Sequence, residues 1–324
     1  MNRVQLPHSD LSVYPICLGG GPLGSAVDRD ASFRLLDAYL AAGGNFIDTA
    51  KVYADWLPIE RSISEKTIGE WVRQRKNRGQ VVLSTKGAHP DLAAMHISRL
   101  SPAEITGDLQ ASLEHLGVET IDLYWLHRDD PTRPVSEILE TLAGQVQAGK
   151  IRYFGCSNWR TERIREAQQY AADHDLPGFT GNQMMWSLAA ADPNRLADKT
   201  MVLMDPAMWR YHQESGLAAI PYTSQGGGYF TKLAENRLKT PSGGRIANAG
   251  NPYDTPQNHA RLERIRQITA QTGLSITQVV LGYLRAQPFT TVPIVGPKSL
   301  EQLSDCLTAA ETQLTPEQVA FLEK

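Results

Sequence analysis

The sequence predicts an α/β chain folded as a (β/α)8 TIM barrel, and three observations carry that expectation. From Ile16 onward, short apolar runs alternate about eight times with amphipathic stretches. The runs are bounded by Gly or polar residues, which favours buried parallel strands over half-exposed antiparallel ones. The stretches between them open and close on helix-capping residues.

The expected strands are Ile16–Gly20, Phe46–Ala50, Val81–Lys86, Ile121–His127, Ile151–Ser157, Thr180–Met184, Leu217–Ser224 and Thr291–Gly296. Among the helices, Ser101-Pro102-Ala103-Glu104 is a capping box with Pro at the first helical position. Ile105, Leu109, Ser112, Leu113 and Leu116 follow at helical spacing, and Gly117 ends the run. Ser275-Ile276-Thr277-Gln278 and Thr315-Pro316-Glu317-Gln318 repeat that grammar, while Gly43-Gly44 and Gly149 stop two further helices just before strands. Residues before Ile16 are expected to form a short hairpin across the amino end of the barrel, with Asp10 near its turn. Gln225 to Asn258, rich in Gly, Pro, Asn and Ser, is expected to loop over the carboxyl mouth. Leu188 to Ser215, containing Met208-Trp209-Arg210-Tyr211-His212, reads as a second long extension. One barrel domain spans 1–324, a length such barrels commonly reach.

Composition is that of an ordinary globular protein: 41% hydrophobic, 21% charged, formal net charge −3. That balance gives no reason to expect nucleic acid as a partner, and no run of eighteen apolar residues suggests a membrane span. The N-terminal Met1-Asn2-Arg3-Val4-Gln5-Leu6-Pro7 lacks an apolar signal core, so a cytoplasmic protein is expected. Three cysteines, Cys17, Cys156 and Cys306, are far apart and odd in number. They suit reduced, buried thiols rather than a disulfide frame or a zinc site, and no metal is expected. No feature of the sequence specifies an oligomeric state.

The chemistry is concentrated at strand ends. Phe46-Ile47-Asp48-Thr49-Ala50 is followed by Tyr53, Val81-Val82-Leu83-Ser84-Thr85 ends in Lys86, and Ile121-Asp122-Leu123-Tyr124-Trp125-Leu126 ends in His127. In one barrel, these Asp, Tyr, Lys and His side chains converge on one mouth. A buried Lys beside a Tyr is expected to lower the phenol's pKa from ~10 towards neutrality and make it a general acid. Gly19-Gly20-Gly21-Pro22-Leu23-Gly24 formally matches G-x-G-x-x-G, but the next helix starts only near Asp30, too late to hold a pyrophosphate.

These segments, with Leu126-His127-Arg128, Gly155-Cys156-Ser157-Asn158, Gln183 and Pro293-Ile294-Val295-Gly296, resemble the aldo-keto reductase family across nearly the whole chain. The resemblance implies NADPH-dependent reduction of a small-molecule carbonyl. Tyr53 would be the proton donor, Lys86 and Asp48 its support, and His127 the group that orients the substrate oxygen. Ser157, Asn158 and Gln183 resemble the clamp on the nicotinamide carboxamide, and Tyr222 the aromatic residue that stacks on its ring. Gly21 would lie in the floor beneath the nicotinamide. Thr223, Ser224, Gln225 and Gly226 would approach the pyrophosphate. Gly296, Lys298, Ser299, Gln302 and Asp305 fall in the region that grips the adenosine 2′-phosphate and adenine. The family's acid-plus-amide pair reads Asp305-Cys306 here, which leaves NADH possible.

The mouth loops suggest a polar, hydroxylated, sugar-like substrate, with Trp56 and Trp209 as flat faces and His89, Arg128 and Asp129 as hydrogen-bonding groups. Two other readings compete: a lyase forming a Schiff base through Lys86, and a non-catalytic, redox-sensing barrel that binds a nicotinamide. The first leaves Ser157, Asn158 and Gln183 without a role. An intact Asp48, Tyr53, Lys86 and His127 set argues against the second.

Overall fold

The computed structural model describes residues 3–238 and 250–324. A two-stranded antiparallel hairpin, β1 (Val4–Gln5) and β2 (Ser12–Val13), precedes the barrel. The barrel strands are β3 (Cys17–Gly19), β4 (Phe46–Asp48), β5 (Val82–Gly87), β6 (Ile121–Leu126), β7 (Ile151–Ser157), β8 (Gly181–Gln183), β9 (Ala218–Ala219) and β10 (Ile294–Val295). All their pairings are parallel, in the order β10-β3-β4-β5-β6-β7-β8-β9. The ring closes between its last two members through a bridge from Ala219 to Thr291 and the Ile294 amide donating to the Pro221 carbonyl. Eight strands stand where the sequence placed them. Several are shorter, notably β9 and β10, because backbone pairing there is reduced to these few bonds at the seam.

The helices are α1 (Arg29–Ala41), α2 (Ile63–Arg75), α3 (Pro102–Leu116), α4 (Val135–Gln147), α5 (Thr161–Asp173), α6 (Pro206–Ser215), α7 (Tyr229–Ala234), α8 (Pro256–Thr272), α9 (Ile276–Arg285), α10 (Leu300–Thr308) and α11 (Pro316–Glu323). The expected capping boxes form at Ser101, Ser275 and Thr315, and Gly117 caps α3 with φ 64°. The first helix starts at Arg29, so the Gly19–Gly24 run is a loop after a strand and not a helix-opening phosphate cradle.

The hairpin plugs one end of the barrel. Leu6, Leu11 and Val13 share a buried cluster with Cys17, Phe46, Val82, Leu123, Trp125, Ala218, Ile220 and Val292. Side chains fill the amino end of the barrel, and Asp48, Lys86, Ser157 and Gln183 lie toward its carboxyl end, the face on which such barrels place their sites. Cys17, Cys156 and Cys306 are buried free thiols.

One extension differs from expectation. Leu188 to Ser215 contains an ordinary crossover helix, α6, started by Asp205, whose side chain accepts from the Met208 amide, with Pro206 in the first turn. Trp209 therefore lies on a barrel helix rather than on a mouth loop. Of the expected lid from Gln225 to Asn258, residues 239–249 lie outside the described residues. The rest contains α7 and the start of α8. No helix among the described residues is long and apolar enough to cross a membrane.

A close approach at Gly87 holds β5 against its neighbours. A methyl there would overlap the Tyr124 hydroxyl and press on Asp108. The Tyr124 hydroxyl is itself buried with no hydrogen-bond partner among the described residues. Gly87→Ala is expected to cost about 1–3 kcal/mol through overpacking, and adding Tyr124→Phe should recover much of that loss in urea unfolding. Equal destabilisation of single and double variants would show that the hydroxyl is not what limits the space.

Candidate active site

Three neighbouring strands deliver the centre. Asp48 ends β4, Lys86 lies on β5, and His127 follows β6. Tyr53 is carried by the turn after β4. The Lys86 ammonium is 2% exposed and donates to Asp48 Oδ2 (2.5 Å), the Thr49 carbonyl (2.7 Å) and Tyr53 Oη (3.1 Å). Asp48, 1% exposed, uses its other oxygen to accept from Ser84 Oγ at 2.7 Å and Gln183 Nε2 at 2.9 Å. Because the ammonium donates to Tyr53 Oη, the phenol's own hydrogen is left to point elsewhere.

The electrostatics correct one expectation. Withdrawal from water raises the pKa of the half-buried Tyr53, and the attraction of Lys86 offsets this only in part. The phenol therefore titrates above its ordinary value, not near neutrality, and carries its proton throughout the physiological range. Burial alone would lower the Lys86 ammonium, but Asp48 and Tyr53 outweigh it and hold its pKa above the usual lysine value. Burial, followed by His89, Arg128 and Lys86, holds His127 well below the usual imidazole range. The neutral ring has one N–H to donate. It packs edge-on against Tyr53, centroids 6.0 Å apart, and against His89 at 4.7 Å. Its Nδ1 is buried without a partner among the described residues.

The expected cofactor residues divide into two groups. Ser157 ends β7 beside Gln183 on β8, in register, and Gln183 Oε1 is buried without a partner among the described residues. An acceptor so placed suits the NH2 group of a carboxamide. Gly21 and Gly296 face open space where a side chain would project. Gly226, Gly227 and Gly228 all have positive φ (58°, 66° and 77°) and follow Thr223, Ser224 and Gln225 into α7. The Ser224 hydroxyl is turned onto the Ile294 carbonyl and Gln225 onto the Cys306 sulfur.

Asn158 differs. Its backbone is left-handed (φ 61°), and its amide donates to the His127 carbonyl and Ser157 Oγ while accepting from the Val202 amide and Tyr222 Oη. With every polar atom engaged, it braces the mouth and ties Tyr222 to the His127 backbone. At α10, Ser299 caps the helix by accepting from the Gln302 amide, while Gln302 Oε1 accepts from the Lys298 amide. Asp305 accepts from Ser275 Oγ. The exposed Lys298 side chain is the cation of this set.

The substrate candidates divide more sharply. Trp56 stands edge-on to Tyr53 with centroids 6.4 Å apart, and His89 lines the same mouth through His127. Arg128 is buried and engaged with Asp198, Thr200 and the His127 carbonyl. Asp129 pairs with Arg163 of α5. Trp209 packs on Phe289 and donates to Gln287 of the chain leading into β10, in a cluster with Met184, Met208 and Ala219. The side chains of these three are thus engaged with protein partners. Sequence reasoning missed Asp108 and Glu65, both buried acids on helices. Their signal was an acid inside an otherwise apolar stripe, as Asp108 is between Ile105 and Leu109. Among the described residues no His, Cys, Asp and Glu cluster is placed to hold a metal ion.

The model of the aldo/keto reductase family matches residues 15–324. The chain belongs to that family. It is 30% identical to a putative aryl-alcohol dehydrogenase of Saccharomyces cerevisiae, over 99% of this chain and 85% of that protein. It is also 30% identical to norsolorinic acid reductase B of Aspergillus parasiticus, over 98% of this chain and 82% of that one. Among solved structures, a thermostable aldo-keto reductase in complex with the inhibitor epalrestat superposes with a TM-score of 0.73, covering 100% of this chain and 99% of that one at 21% identity. That likeness is one of fold. Family membership makes the protein an oxidoreductase that works with a nicotinamide cofactor.

Asp129 offers a test of its reassignment. Burial, opposed by Arg163, raises its carboxyl to about 6, so the native state holds that proton to higher pH than the unfolded chain. Its contribution to stability then falls as pH rises from about 4 through 6 and stays low above. Asp129→Asn should therefore stabilise the protein at pH 8 by on the order of 1 kcal/mol, with little gain at pH 4, and leave substrate KM unchanged. A raised KM with no stability gain would return Asp129 to the substrate.

Proposed function

We propose that this protein reduces an aldehyde or ketone to an alcohol with NADPH, Tyr53 supplying the proton. The observation that carries this reading is the Lys86 ammonium, anchored by Asp48 and donating to Tyr53 Oη, beside a neutral His127. When bound, the nicotinamide supplies a hydride. Ser157 and Gln183 would hold its carboxamide, Gly21 its underside and Tyr222 a ring face. The glycines after Gln225 would admit the pyrophosphate, and Lys298 would meet the 2′-phosphate. A carbonyl oxygen placed between Tyr53 and His127 accepts the imidazole N–H and then the phenolic proton as negative charge develops on it. Lys86 steadies the phenolate left behind. The same contacts argue against a Schiff-base lyase, because an ammonium donating to three acceptors with a raised pKa has no lone pair for attack.

The polar, sugar-like substrate loses its main supports once Arg128 and Asp129 are engaged with other residues and Trp209 is packed on Phe289 and bonded to Gln287. Beside Tyr53 and His127 stand the rings of Trp56 and His89, which favour a flat aromatic carbonyl. Relatives named for aryl-alcohol oxidation agree in kind. Benzaldehyde-type substrates should show kcat/KM at least roughly tenfold above small sugar aldehydes, since burying an aryl ring gains about 1.5–3 kcal/mol. The reverse order would restore the polar pocket.

Tyr53→Phe should lower the reduction rate by about 10²–10⁴-fold while NADPH affinity stays within about twofold. Near-normal turnover would remove Tyr53 as the acid. Lys298→Ala should weaken NADPH about tenfold and NADH hardly at all, as only the former carries the 2′-phosphate. Equal losses would show that Lys298 does not read that phosphate.

A further inference from the structure

We propose that Asp108, a residue of the outer helix α3, positions the proton-donating centre by tying together the two loops that carry it. The inference rests on the reading of Tyr53 as proton donor. Asp108 is buried, 4% exposed. Its Oδ1 accepts from Lys51 Nζ at 2.7 Å and from Arg99 at 3.2 Å, and its Oδ2 accepts from Arg99 at 3.1 Å and the Ala88 amide at 2.9 Å. These donors come from different loops. Lys51 follows β4, two residues before Tyr53, and its own amide donates to the Lys86 carbonyl at 3.1 Å. Ala88 is the first residue after β5, in a left-handed conformation (φ 58°). Arg99 closes the far end of the same loop and also donates to the His89 carbonyl at 3.1 Å.

One carboxylate therefore fixes both ends of the loop that lays the His89 ring on His127, and also the turn that presents Tyr53. It touches none of the reacting groups. A buried carboxylate needs partners somewhere, but stability alone does not require that all of them come from the rim of the mouth. If Lys51 slackens, Tyr53 moves relative to His127, and proton transfer is sensitive to displacements of an ångström or less. The residues assigned to the cofactor end or follow β3 and β7 to β10, and none of them bonds to Asp108, Lys51 or Arg99.

The test compares Lys51→Met and Asp108→Asn with the wild type, using benzaldehyde and NADPH absorbance, NADPH binding by fluorescence, and thermal melting. Lys51 is partly exposed (30% of its side chain), so Lys51→Met should fold normally even if Asp108→Asn does not. Both variants should lose about tenfold or more in kcat, with NADPH affinity changed less than about twofold. The double variant should be no slower than Asp108→Asn alone, because both remove one linkage. Full kcat in folded Lys51→Met, or losses in the two variants that multiply, would overturn the positioning role. A wild type that reduces no carbonyl, or a Tyr53→Phe variant with full turnover, would instead defeat the reading beneath it and this inference with it. An active, Tyr53-dependent enzyme indifferent to Lys51 would defeat the inference alone.

Discussion

The ion pair between Lys86 and Asp48 is the constraint around which the mouth of this barrel is arranged. Both groups are almost wholly removed from water, which costs several kcal/mol per ion unless every polar atom finds a partner. Here they do: the ammonium meets a carboxylate, a carbonyl and a phenol, and the carboxylate is completed by Ser84 and Gln183. Those partners come from β4, β5 and β8, so satisfying one buried charge fixes strand ends on opposite sides of the ring. Removing either ion would strand the other, a loss typically of about 3–5 kcal/mol. The geometry is thus over-determined by electrostatics before any substrate arrives.

Two opposing effects on Tyr53 then decide what the centre is for. Burial disfavours the phenolate, Lys86 favours it, and burial prevails. The outcome is a phenol that keeps its proton yet has a cation in hydrogen-bond contact, ready to stabilise the anion once the proton leaves. His127, held neutral by burial and by its cationic surroundings, offers a hydrogen bond without competing as an acid. The division of labour between the two follows from their environments rather than from their intrinsic acidities.

Much of the fold was legible because its signals are local. The capping boxes at Ser101, Ser275 and Thr315 and the apolar strand runs each lie within a few residues, and each stands where expected. Asp48, Lys86 and His127 were legible for the same reason, since being at or next to a strand end is a local property, and Tyr53 follows Asp48 within the next turn. What escaped depended on partners distant in the chain. Arg128 is claimed by Asp198 and Thr200, some seventy residues away, and Asn158 by Val202 and Tyr222. Trp209 was misplaced although its signal was present: Asp205-Pro206 is a helix start. The direction of the Tyr53 shift was unreadable because depth of burial is a property of the assembled barrel.

The most direct test of this account is the ionisation of Tyr53 itself, read as phenolate absorbance in the wild type minus that in Tyr53→Phe across a pH titration. The same titration should be paired with the single-turnover rate of aldehyde reduction. A buried phenol held above its ordinary value of ~10 predicts no phenolate signal below that pH, with a reduction rate that stays level through neutrality and falls only as the signal appears. A phenolate already present near pH 7, or a rate that falls without it, would contradict the account.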